Sequence, residues 1–222
     1  MKKKTMLFAS AALAALFVAA LPIAAYAGEF TADCGTGPTC TGTVEGTGNF
    51  VFSDSQGLIW FCPSFIGTMS FTSGSSTGSL QLQLQGCVDP YFQFKCNGNG
   101  VATSNSMVTH NVYLEANHST PGLLITGASL TISCVSPLGA RTFTGDVVSH
   151  IENPDCNASK TNHTFALERT SVGQQKYRQV TTTGSIFDLM EINELNGSSL
   201  TASWSATWHV NYTGGNTVKF TC

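Results

Sequence analysis

Charge is scarce in this chain. Only 10% of its 222 residues are Asp, Glu, Lys or Arg, against about 25% in an ordinary soluble domain. Ten basic residues stand against thirteen acidic ones, and three of the ten are Lys2, Lys3 and Lys4 at the extreme N-terminus. No basic cluster follows. Phosphate contacts dominate nucleic-acid affinity and require such clusters, so no nucleic-acid partner is expected, and an anionic membrane surface is an equally poor fit. Cys-x2-Cys pairs are missing, and with them the common zinc frameworks. No EF-hand loop is present, and no metal or cofactor is expected. Also missing are any convincing helical stretch and any second long apolar run, so no membrane span is expected in the mature chain.

What is present begins with an export signal. The three lysines precede an almost continuous apolar run from Met6 to Ala25, and Ala25-Tyr26-Ala27 supplies a small-x-small cleavage site. Such a run is long enough to span a bilayer, but Pro22 and the Ala-x-Ala end favour cleavage. Residues 1–27 are therefore read as a signal peptide and the mature protein as secreted. Cleavage removes three basic residues and no acidic ones, which leaves a net charge of −6. The mature surface is expected to be solubilised by hydroxyls and amides.

All eight cysteines follow the leader: Cys34, Cys40, Cys62, Cys87, Cys96, Cys134, Cys156 and Cys222. An even count in an exported chain reads as a disulfide framework. An internal similarity suggests part of the pairing. From Cys62 the chain reads CPSFIGTMSFT, and from Cys134 it reads CVSPLGARTFT. Each copy has a glycine five positions on (Gly67, Gly139) and ends in Phe-Thr (Phe71-Thr72, Phe143-Thr144). Apolar runs precede both, and Cys87 and Cys156 follow. The expected unit is strand, cysteine staple, glycine turn, strand and return to a second cysteine. That gives Cys62–Cys87 and Cys134–Cys156, with Cys34–Cys40 a further short-range possibility beside Cys96 and Cys222.

Short strands fill the rest. Phe50–Phe52 and Leu58–Phe61 flank a hairpin turn. Ser79–Gln85 alternates leucine with glutamine, the period of a half-buried strand. Met107–Leu114, 123–134, 141–151, 164–169 and 176–182 also read as strands, as does Tyr91–Phe94. Ile186–Ile192 fits either a strand or two helical turns. From Leu200 to Tyr212 thirteen residues alternate without error, where the mean strand is about 5–6 residues. Leu200, Ala202, Trp204, Ala206, Trp208, Val210 and Tyr212 should face a core, and Thr201, Ser203, Ser205, Thr207, His209 and Asn211 should face water.

The fold class that follows is all-β: two β-sandwich-like (Greek-key) units in tandem, or one large sandwich, stapled by disulfides. The polar stretch Glu115–Gly122 marks the division, with units at 28–118 and 119–222.

Chemistry is thinly signalled. Gly74-Ser75-Ser76-Thr77-Gly78 matches Gly-x-Ser-x-Gly, but a nucleophile elbow needs a helix after the serine, and a leucine/glutamine strand follows instead. His150 and Glu152 share a strand face with His163 nearby in sequence, but no third ligand is spaced to converge on them. Asp54, Asp89, Asp146, Glu152, Asp155, Asp188, Glu191 and Glu194 are carboxylates whose pairing depends on distance across a cleft. Trp204, Trp208 and Tyr212 form the one aromatic row. Rings on a sheet stack on sugars, but these share their face with an apolar set and are expected in the core; Trp60, Tyr91 and Tyr113 are the alternatives for exposure. Asn117, Asn157, Asn162, Asn196 and Asn211 begin Asn-x-Ser/Thr triplets, which chance explains in a chain this rich in Asn, Ser and Thr.

The cysteine, the glycine-centred turn, Phe-Thr-Gly-Asp-Val-Val (143–148), the following cysteine and the later Gly-Gln-Gln around Gln174 are together similar to secreted, disulfide-paired β proteins of high-GC Gram-positive bacteria. The resemblance covers most of 120–190 and, more weakly, 55–100. It implies compartment and fold, and carries over no catalytic residue. The expectation is an exported, non-enzymatic protein with a structural or binding role at or near the cell surface. The alternatives are a carbohydrate-binding module and a secreted hydrolase using His150, Glu152 or His163.

Overall fold

The computed structural model describes residues 29–88, 96, 102–114, 120–133, 140–152, 157–171, 173–177, 179–181, 184–186, 190–193 and 199–221. Among them every regular element is a strand: β1 (Thr31–Cys34), β2 (Thr39–Gly46), β3 (Phe50–Asp54), β4 (Ile59–Cys62), β5 (Ser64–Thr72), β6 (Thr77–Gln85), β7 (Ala102–Thr103), β8 (Met107–Tyr113), β9 (Pro121–Ser133), β10 (Ala140–Glu152), β11 (Asn162–Leu167), β12 (Arg169–Ser171), β13 (Gln174–Gln175), β14 (Gln179–Thr181), β15 (Gly184–Ile186), β16 (Met190–Asn193), β17 (Ser199–Tyr212) and β18 (Val218–Thr221). The chain is all-β. Its ambiguous stretch at 186–192 ends one strand and begins another.

Twelve strands make one antiparallel sheet, and that sheet closes on itself. Neighbours run β11-β10-β9-β8-β6-β5-β2-β17, and β11 pairs β17 again on its other edge. The ring is an up-and-down meander in chain order. β16 fills the same seam beside β11, joining Phe143–Gly145 of β10 to Ala202–Leu200 of β17. The β3–β4 hairpin continues the β2 edge of β17, with Trp204 opposite Phe52. Closure leaves the ring strands without free edges. The two walls pack across one core as the layers of a sandwich do, with their margins joined.

The position 118/119 falls between β8 and β9, which are hydrogen-bonded neighbours. Buried residues on both sides of it, from Phe30 to Phe220, belong to one core.

β17 is the longest strand among the described residues, and its periodicity decides the core. Ala202, Trp204, Ala206, Trp208, Val210 and Tyr212 are all buried. Trp204 meets Phe50 and Phe52 edge-on at 5.4 and 5.5 Å between ring centroids, and Trp208 stacks on Phe165 at 5.6 Å. Eight strands give an interior just wide enough for side chains to fill, and aromatic rings fill this one. Trp60 is buried edge-on against Phe143, and Tyr113 is buried against Phe30. Both were candidates for exposure; they face inward because their strands offer alternate positions to the same core. Tyr91 lies outside the described residues, as does the strand expected at 91–94.

One end of the ring is plugged. β1 pairs β18, and Phe30, Phe71, Tyr212, His163 and Phe220 pack there ring against ring. Cys34–Cys40 ties the plug to β2, while Cys62–Cys87 ties the end of β4 to the segment after β6. Cys96 is also disulfide-bonded. Cys134, Cys156 and Cys222 lie outside the described residues.

Two sequence expectations change. Gly67 does not make a turn: it sits within β5, opposite Leu82. It is glycine because an added Cβ would lie 2.0 Å from the Gln81 carbonyl oxygen, so only a residue without a side chain lets β5 and β6 approach so closely. Gly139 lies outside the described residues. Ser203, on the expected wet face of β17, is fully buried. Its hydroxyl pairs with that of Ser53 at 2.7 Å, and the Gly173 N–H donates to the Ser53 hydroxyl at 3.4 Å. The segment carrying β12 and β13 lies over the outside of the wall here and covers Ser53 and Ser203. Further along, Tyr177 covers a second small cluster of Val112, Leu114, Leu124 and Val148.

Candidate functional site

Among the described residues, those singled out for chemistry do not assemble. His163 points into the core, where its Nδ1 is 2.9 Å from the Tyr212 hydroxyl. Burial holds the Tyr212 phenol far above its ordinary pKa. His150 and Glu152 lie on the other side of the wall, because β10 and β11 are neighbours and His150 stands opposite Ala166. The His150 ring stacks on Tyr177. Tyr177 in turn donates to Glu168, which also pairs with Lys176. Those contacts anchor the covering segment, and the Lys176 partner first, then the Tyr177 hydroxyl, lower the Glu168 pKa against its desolvation. His209 is exposed on β17, and its Nδ1 is 2.7 Å from the Thr164 hydroxyl.

The described carboxylates are equally dispersed. Asp54 is buried, and its Oδ1 accepts from the Gln56 and Leu58 N–H groups at 2.9 Å, which closes the β3–β4 turn. Asp146 Oδ1 accepts from the Gly127 N–H at 2.9 Å. Glu191 is on β16, and Asp89, Asp155, Asp188 and Glu194 lie outside the described residues. Ser75 and Ser76 occupy a turn that leads into strand β6, so the Gly-x-Ser-x-Gly match has no helix behind it. Of the Asn-x-Ser/Thr residues, Asn162 and Asn211 face each other across β11 and β17, and Asn157 has a positive φ; Asn117 and Asn196 are not among those described. Among the described residues no group of three or more His, Cys, Asp or Glu could hold a metal ion.

Among the described residues, a concave feature lies elsewhere. A groove of about 530 Å³ opens on the outer wall, lined by Ile66, Gly67 and Thr68 of β5, Gln81, Leu82 and Gln83 of β6, and Ser104. The local sequence explains it. Phe65, Met69 and Phe71 alternate into the core, so Ile66 and Thr68 must point outward; Leu80, Leu82 and Leu84 do the same on β6, which leaves Gln81 and Gln83 outside. Ile66 is 46% exposed. With Val108 it is one of the two exposed large hydrophobic residues among those described. Val108 stands opposite Ser79 on the same outer wall.

The groove borders an irregular seam. β6 pairs β8 as far as Leu80–Met107 and pairs β7 at Leu84–Ala102. Between them Ser104 takes over the ladder: its Oγ accepts from the Leu82 N–H, and its own N–H donates to the Leu82 carbonyl, both at 2.8 Å. Next, Asn105 bonds across to β9, accepting from the Ser129 N–H and donating to the Gly127 carbonyl, each at 3.0 Å. There β9 has Thr126 and Gly127 where β10 offers only Asp146, and Gly127 takes a positive φ. Side chains of Ser104, Asn105 and Asp146 thus replace backbone partners across adjoining strands. Such bulges bend a wall and re-aim its side chains, and they are common beside functional sites.

The groove's chemistry is neutral. Its polar groups are two primary amides and hydroxyls, and its apolar contacts are Ile66, which is exposed, and Leu82, which is buried beneath. Glu45 on β2, the register partner of Ile66, borders it. Alternation alone marks Gln81 and Gln83 only as the wet face of a strand. One signal was legible: in Phe65-Ile66-Gly67-Thr68-Met69, Ile66 is an apolar residue out of phase with the core positions.

No protein family model, curated protein or solved structure matches the chain.

Proposed function

We propose that this chain is an exported, non-enzymatic binding protein that engages its ligand through the outer groove of β5 and β6. The observation that carries the reading is the coincidence, on one wall, of the concave site, exposed Ile66 and the outward amides of Gln81 and Gln83. Export is supported by the lysine-led apolar N-terminus with its Ala-Tyr-Ala end. The disulfides fit an oxidising compartment, and among the described residues no helix is long and apolar enough to cross a membrane.

The wall around the groove also argues against a bilayer as partner. A membrane barrel turns apolar side chains outward and polar ones inward. Here Thr41, Thr43, Thr68, Gln81, His209 and Asn211 are exposed on the outside while aromatic rings fill the core.

The test is retention of the full exported chain on isolated envelopes of high-GC Gram-positive cells. Retention that Ile66→Asp abolishes, with the circular dichroism spectrum unchanged, is the expected result. Equal retention of the variant, or none of either protein, overturns it.

A further inference from the structure

We infer that the ligand of this groove is a neutral polysaccharide chain, an inference that rests on the binding reading above. The groove's donors and acceptors select among ligand classes. Primary amides both donate and accept, so Gln81 and Gln83 can each bridge a pair of adjacent hydroxyl groups. They point the same way two residues apart on a strand, roughly 6.7 Å along the wall, on the scale of one sugar ring to the next in an extended chain. Neither makes a side-chain hydrogen bond to a described residue, so both are available. Ile66, 46% exposed beside Gln83 by register, offers an apolar patch for the C–H face of a sugar ring.

Other classes fit less well. An extended peptide would bind by adding a strand to a free sheet edge, but β5 is paired on both sides by β2 and β6, and β6 by β5 and β8. An anionic polymer would need cations, and the bordering charge is Glu45, an acid. A lipid chain would need a continuous apolar lining, where this one is half amide and hydroxyl. Vicinal hydroxyls on a neutral framework are what remains.

The experiment is affinity electrophoresis of the full exported chain through gels containing galactomannan, glycogen or dextran, whose sugar units keep adjacent free hydroxyls. Matching gels contain polygalacturonate, or the same neutral polysaccharides after periodate cleavage of their diols. The expected result is retardation by at least one neutral polysaccharide, lost after periodate and reduced at least tenfold in affinity by Gln81→Ala/Gln83→Ala. Raising the salt to 1 M should leave it unchanged, since no ion pair is involved. Both glutamines project outward, so the double variant keeps its fold. Retardation by polygalacturonate alone, or by none of the gels, overturns the ligand class. If envelope retention nevertheless depends on Ile66, the groove stands and only its ligand is wrong. Retardation that survives the double variant places sugar binding elsewhere and overturns the groove itself.

Discussion

Replacing Gly67 with alanine puts the close approach of β5 and β6 to a quantitative test. A Cβ at this position would sit 2.0 Å from the Gln81 carbonyl oxygen and 3.1 Å from Leu82 Cδ2. The first contact is with backbone, which cannot rotate away as a side chain does. The two strands must separate by about 1 Å or more to reach ordinary contact. Overpacking of this kind costs about 1–3 kcal/mol. Stretching two flanking ladder hydrogen bonds past their useful length adds about 1 kcal/mol each. The variant should therefore lose about 4 kcal/mol, which for a protein of this size lowers Tm by about 8–16 °C. Gly48→Ala is the control: it has no positive φ, and nothing lies within 4 Å of its added Cβ, so its stability should stay within about 0.5 kcal/mol of wild type. Thermal unfolding followed by circular dichroism, with disulfides intact, measures both. A Gly67→Ala protein that melts with the wild type would show that β5 and β6 are not packed as described.

Three further outcomes follow from the same structure. The Thr109 hydroxyl is fully buried and has no hydrogen-bond partner among the described residues, so Thr109→Val, of equal shape, should raise stability by about 1 kcal/mol in a urea titration; destabilisation would mean the hydroxyl is satisfied. Cys62–Cys87 closes a loop with a sequence separation of 25 and Cys34–Cys40 one of 6. Serine pairs should thus cost about 3.5 and about 2 kcal/mol respectively from chain entropy, with denaturant midpoints showing the longer loop to matter more. Burial raises the Tyr212 pKa in the folded state, so its contribution to stability is complete below the unfolded value near pH 10 and is lost as pH rises beyond it. Absorbance at 295 nm should show Tyr212 ionising only together with unfolding, and a reversible titration of this residue in the folded protein near pH 10 would refute its burial.

The sequence by itself determined the strands and their faces. Alternation over Leu200–Tyr212 marked which side of β17 would be buried, and the leucines and glutamines of 79–85 did the same for β6. The short apolar runs around Ser53–Gly57 marked the β3–β4 hairpin. These are local matters, because a strand's two faces follow from its period of two. Tertiary structure decided what lay beside and on top of each strand. Periodicity cannot name a partner, so the closure of β11 onto β17 was invisible, and with it the main core, which draws residues from both halves. Nor can it show that an outward face is covered, which is why Ser203 and Ser53 are buried beneath the segment carrying β12 and β13. His163 is near His150 in sequence, but it faces inward on β11 while His150 faces outward on β10, so the wall lies between them. The groove needed Ser104, Gly67 and the glutamines brought together from separate stretches, and a bulge seam that no residue pattern announced.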